Sequence, residues 1–322
     1  MAILLFFWAC RPDVSDTGTV WDRGPNPHAL DDVLRLNHIQ TKGSHNSYHL
    51  EPETVYDDSH RYSHPTLTEQ LDLQVRQLEL DLHLTEDGEW QVFHLPSIDA
   101  ETTCLAFSSC LGEIKDWSDD NGWHLPITVW LEPKDDLDAV AEGLVSIGDA
   151  IASVDDEIRQ VFPDARLLTP DDLRGDAASI SAGLSASGWP LLGEVRGRVI
   201  FALLDTGSHR TSYLQGAPDL AGRVLFVDGT PQEPITAFIK DGSAAEIADW
   251  SAAGFMVTSN GSTAGDGADG QQQDAALLEA GTHHIATDFT APIGDAYWLD
   301  LTPRCNPVAA PASCADEELE RL

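Results

Sequence analysis

From residue 35 onward, short apolar runs alternate with stretches of helical periodicity. Strand-like runs fall at 75–84 ("VRQLELDLHL"), 89–94 ("EWQVFH"), 125–133 ("LPITVWLEP"), 197–205 ("GRVIFALLD"), 223–228 ("RVLFVD"), 254–260 ("GFMVTSN") and 283–289 ("HHIATDF"). A shorter apolar patch, "NHIQ", leads into "TKGSHNSYHL" at 41–50. Helix-like segments lie between several of them: "HPTLTEQLDLQ", "DLDAVAEGLVSIGDAIASVDDEI", "EIADWSAA" and "DAALLEAG". Apolar, β-branched runs alternating with helices predict an α/β fold with a mostly parallel sheet. About eight strands over roughly 280 residues fit an irregular TIM (β/α)8 barrel. A doubly wound open sheet is the alternative. No Gly-rich dinucleotide or phosphate loop follows any strand, which counts against it. The polar stretch 260–274, "NGSTAGDGADGQQQD", follows a strand, and in a barrel that end of the strand is the functional face.

The polar residues that interrupt these runs gather at strand ends. His45 and Asn46 end the first strand. Glu79 and Asp81 lie two apart in the second, so they share a side, while Leu78, Leu80 and Leu82 point the other way. His94 ends the third run, and Glu132 sits near the end of the fourth with Lys134 just beyond. Each has an ordinary reading. Ser and Asn punctuate turns, Glu79 or Asp81 could pair with nearby Arg76, and Lys134 could be a surface lysine. Jointly they are harder to dismiss, because adjacent carboxylates inside a barrel need something cationic to hold. Asn46, Glu79, Asp81 and Glu132 offer oxygen donors only, a set for Ca2+ or Mg2+ rather than zinc. Three carboxylates favour the larger, more flexible Ca2+ site. Two histidines beside such an ion suit phosphodiester cleavage.

Composition narrows the partners. The 322-residue chain carries a formal net charge of −36. That excludes nucleic acid, whose phosphates need clustered Lys and Arg, and argues against spontaneous adsorption to anionic membranes. The start, "MAILLFFWAC", reads as a signal or lipoprotein-like leader over 1–10, with a polar tether over 11–30 and one catalytic barrel over 31–322. Export is expected, either secreted or lipid-anchored through Cys10. The remaining four cysteines form two close pairs, Cys104 with Cys110 and Cys305 with Cys314, expected as short-loop disulfides. Neither pair has the two-residue gap that zinc sites favour.

The blocks "KGSHNSYH", "LELDLH", "VFHLPSID", "TTCLAFSSCLGEIKDWSDDNGWHLPITVWLEPKDD", "GWPLLGEVRGRVIFALLD", "IATDF" and "RCNPVAAPASC" resemble the calcium-dependent bacterial phosphatidylinositol-specific phospholipase C family, within the PLC-like phosphodiesterases. The likeness runs from about residue 35 to 315. It implies an irregular TIM barrel with His45 and His94 as catalytic histidines and Asn46, Glu79, Asp81 and Glu132 as calcium ligands. It further implies attack by the inositol 2-hydroxyl on phosphorus, His94 as general acid, His45 stabilising the transition state, and Glu79 or Glu132 as base. Lys134 is the candidate contact for phosphate or inositol. Asp205 and Asp288, at later strand ends, either bind sugar hydroxyls or cap the next helix. The chain departs from the family where relatives place an arginine near Thr258 to Asn260. No cation stands there, so the site has fewer positive groups for phosphate, which bears on substrate identity more than on the metal site.

Two other readings remain at this point. "LELDLHLTEDGEWQVFH" also looks like the acidic strand and histidine of glycerophosphodiester phosphodiesterases, although their opening His-Arg-Gly type motif is here His-Asn-Ser. A non-catalytic calcium-dependent lipid or polyol binder on the same barrel would not require both histidines. A monomer that meets a membrane surface transiently is expected, with Trp123 and Phe107 as candidate rim residues.

Overall fold

The computed structural model describes residues 23–135, 143–264, 270–292 and 297–320. The leader, Cys10 and most of the tether lie outside the described residues, as do parts of the 136–158 and 260–274 stretches. Strands are β1 (Ile39–Ser44), β2 (Val75–Thr85), β3 (Trp90–Val92), β4 (Ile127–Pro133), β5 (Leu144–Val145) and β6 (Val199–Leu203). They continue with β7 (Leu225–Val227), β8 (Phe238–Lys240), β9 (Met256–Asn260), β10 (His284–Thr287) and β11 (Arg304–Cys305). Eight of them run in the order β7-β6-β4-β2-β1-β10-β9-β8, each paired in parallel with its neighbours. The two ends of this sheet approach each other. A parallel bridge joins Asp228 to Phe238, and the Asp228 carboxylate accepts the Lys240 backbone N–H at 2.9 Å. The result is a nearly closed, irregular TIM barrel.

The count of eight comes out as expected, but by two compensating differences. The run at 89–94 is not a barrel strand. β3 folds back antiparallel on β2, pairing Leu82 with Val92 and Leu84 with Trp90. A parallel crossover takes a dozen or more residues, and only 86–89 separate β2 from β3, with Gly88 at φ +83° making the turn. The eighth barrel strand is instead β8, three residues long and too short to announce itself. The expected single helix over 136–158 is also broken. β5 pairs antiparallel with the end of β2, and among the described residues of this stretch helix is found at Gly148–Ser153, as a 3-10 turn, and at Val154–Val161. Gly143 and Gly148, both at positive φ, mark the interruptions. Elsewhere the helices follow their local signals. Leu67–Asp72 begins at a Thr66/Glu69 capping box, and Ala244–Ala252 at a Ser243/Glu246 box.

Alternation along β2 sets the two sides of the wall. Leu78, Leu80 and Leu82 join the apolar core shared with Leu111 and Ile114 of the Phe107–Asp120 helix. Glu79 and Asp81 face the interior, at the register positions of Trp130 and Glu132 on β4. Across the barrel floor the Trp130 indole N–H donates to Thr258 Oγ1 at 3.0 Å, and Trp130 packs edge-on against Phe238 at 6.1 Å. This apolar floor leaves the carboxylates above it facing the carboxyl end. Among the described residues no helix is long and apolar enough to cross a membrane.

Cys104–Cys110 and Cys305–Cys314 are both bonded, which fits an oxidising compartment. The first closes the start of the helix that packs behind β2. Replacing both residues of either pair by serine is expected to lower the free energy of unfolding by about 2–3 kcal/mol, the chain-entropy value for so short a loop. Urea titration of oxidised protein checks this. An unchanged midpoint would mean the bridge adds nothing.

Candidate active site

The turn after β1 is held from both neighbouring strands. Ser47 donates its N–H to the Glu79 carbonyl at 2.9 Å, and its Oγ accepts the Glu79 N–H at 2.8 Å. The His45 N–H donates to the Thr287 carbonyl at 3.2 Å. Between these anchors Asn46 adopts φ +43°, which asparagine tolerates better than most residues. His45 and Asn46 can then both face the mouth of the barrel instead of alternating across the sheet. His45 Nδ1 lies 2.9 Å from Asp288 Oδ1, and its Nε2 lies 3.7 Å from Glu79 Oε1. Burial disfavours the imidazolium, but the hydrogen bond to Asp288 and the charges of Glu79 and Asp288 outweigh it, raising the His45 pKa to about 9.

Glu79, Asp81 and Glu132 converge on one point. Each offers an oxygen within 4.8 Å of the others'. Asp81 is fully buried and Glu79 nearly so. Asn46 Oδ1 and Asp81 Oδ1 are buried without a hydrogen-bond donor among the described residues, and buried Glu79 Oε2 and Asp81 Oδ2 meet lysine ammonium groups. Such a concentration of unsatisfied acceptors is costly unless a cation completes it. Two ammonium groups partly do so. Lys134 Nζ lies 3.1 Å from Asp81 Oδ2 and 2.8 Å from Glu132 Oε1, and Lys240 Nζ lies 3.5 Å from Glu79 Oε2. Burial, with Glu132 and Glu79 beside it, still pushes Asp81 above the usual carboxylate range, against the pull of Lys134. Glu79 is lowered: burial acts to raise it, but Lys240, His45 and Lys134 prevail. Three convergent carboxylates, with the neutral Asn46 Oδ1 buried on the turn after β1, fit Ca2+. Arg76 does not compete for them. It faces the helices, bonds Glu320 at 3.0 Å and lies over Trp117.

On the other flank, His94 follows the hairpin strand β3. Its Nδ1 lies 2.7 Å from Asp99 Oδ2, and the His83 Nε2–H points at the Phe93 and His94 carbonyls at 3.0 and 3.2 Å. Asp99 is fully buried, yet hydrogen bonds from His49 and His94 hold its pKa down at about 2. His94 also acts on Asp81, opposing its upward shift. The carboxylate cluster thus lies between two histidines, each anchored through Nδ1 to its own aspartate and each partly open to solvent.

The expected residues therefore come together, with exceptions. His45, Asn46, Glu79, Asp81, Glu132, His94 and Lys134 share the mouth of the barrel. Asp205 takes the ordinary role. It accepts the Gly207 and Arg210 N–H groups at 2.8 Å each and pairs with His209, capping the helix that follows β6. Phe107 is fully buried in the core, and the Trp123 indole is tied to the Arg23 carbonyl at 2.7 Å, so neither forms an apolar rim. Lys240 and Asp99 escaped sequence reasoning. Lys240 supplies the cation that seemed missing near Asn260, whose Oδ1 it meets at 2.6 Å, but from the unrecognised strand β8. Asp99 stands five residues after His94, in "HLPSID", where spacing alone gives it no distinction from other aspartates.

Comparison with known proteins adds an independent line. A family model described as "Phosphoinositide phospholipase C, Ca2+-dependent" matches residues 34–90 and 84–306. Among solved structures, a Ca2+-dependent phosphatidylinositol-specific phospholipase C from Streptomyces antibioticus superposes with a TM-score of 0.58 at 20% identity, over 80% of this chain and 95% of that one. A calcium-dependent phosphoinositol-specific phospholipase C from Pseudomonas sp. superposes with a TM-score of 0.61 at 19% identity, over 86% and 97%. At these identities the likeness is one of fold. No curated protein sequence matches the chain.

Proposed function

Because the chain belongs to the family of calcium-dependent phosphoinositide phospholipases C, we propose that it cleaves the glycerol–phosphate bond of phosphatidylinositol or a related phospholipid by histidine-assisted phosphoryl transfer. The observation that carries this reading is the cluster of buried, incompletely satisfied oxygens on Asn46, Glu79 and Asp81, lying between two aspartate-anchored histidines. Asn46, Glu79, Asp81 and Glu132 hold the calcium ion, which when bound neutralises charge on the phosphoryl oxygens and lowers the pKa of the attacking hydroxyl. Glu79 or Glu132 takes the proton of the inositol 2-hydroxyl as its oxygen attacks phosphorus. His45, kept protonated by Asp288, donates from Nε2 to the oxygen on which negative charge grows. His94, oriented by Asp99, gives its Nε2 proton to the departing glycerol oxygen. Lys134 and Lys240 add positive charge beside the same phosphate. The protein works as an exported monomer.

Incubating purified protein with phosphatidylinositol, glycerophosphoinositol or phosphatidylcholine, in Ca2+ or in chelator, and reading products by phosphorus NMR tests the reading. Calcium-dependent release of an inositol phosphate from phosphatidylinositol is expected. Turnover of glycerophosphoinositol alone would assign a glycerophosphodiesterase, and turnover of none would leave a binding barrel.

Access to lipid falls to apolar side chains on the loops beside His94. Tyr56, Ile98 and Leu105 are exposed. The loops carrying them are stitched together by Leu50 N–H to Glu101 O at 3.2 Å and Thr103 N–H to Tyr48 O at 2.8 Å. With so acidic a chain, this rim favours the uncharged part of a bilayer. Replacing Ile98 and Leu105 together by serine is expected to slow turnover of vesicles about 10-fold, from roughly 1.5 kcal/mol of lost apolar burial, while monomeric substrate is cleaved normally. Equal losses on both substrates would contradict this.

A further inference from the structure

We propose that His60, His94 and Asp99 form a second metal site, selective for a transition ion of the zinc type, and that filling it silences His94. One donor atom from each residue lies within 4.8 Å of the others. Asp99 Oδ2 is the centre of the group, 2.7 Å from His94 Nδ1 and 3.6 Å from His60 Nδ1. The rings of His60 and His94 stand at 88° with centroids 5.3 Å apart, so both present ring edges to the same carboxylate.

His60 Nδ1 is the observation that points to a ligand. The residue is only 8% exposed, and this nitrogen is buried without a hydrogen bond among the described residues. At 3.6 Å from Asp99 it is aimed at a carboxylate yet too far to bond it. Buried polar atoms are rarely left so, because the loss of hydration is not returned. A divalent ion placed among the three donors, at the roughly 2.0–2.2 Å typical of zinc, would satisfy this nitrogen and take the place of the His94 hydrogen bond on Asp99 Oδ2. The surroundings are those of a built site. His49 Nε2 holds the carboxylate, at 2.8 Å from Asp99 Oδ1 and 3.0 Å from Oδ2, and His49 is stacked on Tyr62 at 4.1 Å and tied to the Tyr62 carbonyl at 3.1 Å. Such outer support fixes a metal-binding carboxylate in place. His60 itself ends a short turn, with its N–H donating to the Asp57 carbonyl at 3.0 Å.

The two clusters in the barrel mouth would sort metals by donor chemistry. Asn46, Glu79, Asp81 and Glu132 give oxygen alone and suit a hard cation. Two imidazoles and a carboxylate suit Zn2+ and its neighbours, with a position left for water. The inhibitory half of the proposal rests on the role assigned to His94 above. Metal on His94 Nδ1 displaces the proton there to solvent and breaks the hydrogen bond to Asp99. The ring then cannot become the doubly protonated acid that donates from Nε2. Turnover stops although calcium stays bound.

Calorimetric titration of ZnCl2 into calcium-saturated protein reads the site directly, and Co2+ absorption gives a second readout through its ligand-field bands. One equivalent should bind in the presence of Ca2+. His60→Asn should weaken it by more than about 100-fold, beyond the usual loss for an outer-shell partner, with calcium affinity unchanged as the control for folding. His60→Gln should behave the same way. Zinc should slow phosphatidylinositol turnover by the wild type, and each His60 variant, relative to its own metal-free rate, should resist it to the degree that its zinc affinity falls. Equal zinc binding by wild type and variants, or zinc uptake abolished by saturating Ca2+, would overturn the site. His60-dependent binding that leaves turnover unchanged would overturn the inhibition and place the fault in the assignment of His94.

Discussion

His45→Ala is expected to lower kcat on phosphatidylinositol by about 10²–10³-fold, the usual cost of one donor to a developing oxyanion, while calcium affinity is largely kept. Neighbouring Asn46→Ala should fail differently. It removes a neutral oxygen from the calcium cluster, so its rate should climb back as Ca2+ is raised. The contrast follows from the turn after β1. The strand would place successive side chains on opposite sides, but the positive φ at Asn46 and the Ser47 contacts to β2 bring both to one mouth. His45 then reaches Asp288 and Glu79, while Asn46 Oδ1 has no hydrogen-bond donor among the described residues. Turnover measured against calcium concentration for the two variants separates the roles. Recovery of His45→Ala at high metal would show that His45 is there to help hold the ion.

The second large effect is at His94. A general acid matters in proportion to how poor the leaving group is, because a glycerol alkoxide must be protonated as it departs and an activated aryl oxide need not be. His94→Ala should therefore cost about 10²–10⁴-fold with the lipid and far less with an aryl phosphodiester of inositol. Asp99→Asn should show the same dependence at smaller amplitude, because Asp99 acts through the imidazole it orients. Replacing the buried carboxylate also removes the partner of His49, so retained calcium binding is the control for folding. Equal slowing of both substrates by His94→Ala would remove it from the proton-transfer step.

Much of this site was legible in the sequence because its residues violate the patterns around them. The leucines at 78, 80 and 82 declare one side of β2 apolar, so carboxylates at 79 and 81 stand out on the other, and the structure places them in the interior. The same strand misled at its end. "EWQVFH" has the composition of a barrel strand, and only the four-residue connection through Gly88 shows that it must return antiparallel. β8 failed the opposite test. Three residues carry too little periodicity to register, and with the strand went Lys240, whose ammonium reaches Glu79 only through the folded barrel. Asp205 shows the limit of position as an argument. An aspartate at a strand end before a helix is as well suited to capping as to catalysis, and here it caps. Asp99 could not be singled out by spacing from an acidic chain of 54 Asp and Glu residues, and the strand-end position of Asp288 pointed to sugar binding or capping, not to a histidine. Their distinction is the histidine each one meets.

The central claim is that Asn46, Glu79, Asp81 and Glu132 hold calcium, and calorimetric titration of Ca2+ into metal-stripped wild-type and Asp81→Asn protein tests it most directly. Asp81 is the fully buried member of the cluster, with Oδ1 lacking a hydrogen-bond donor among the described residues and Oδ2 meeting Lys134 at 3.1 Å, so converting one oxygen to an amide removes charge and a ligand without opening a cavity. One calcium per wild-type chain is expected, with binding by Asp81→Asn weakened by at least about 10-fold, the low end of what even an outer-shell partner contributes. Equal calcium binding by the two proteins, or no calcium bound by a wild type that still turns over phosphatidylinositol in excess chelator, would contradict the account.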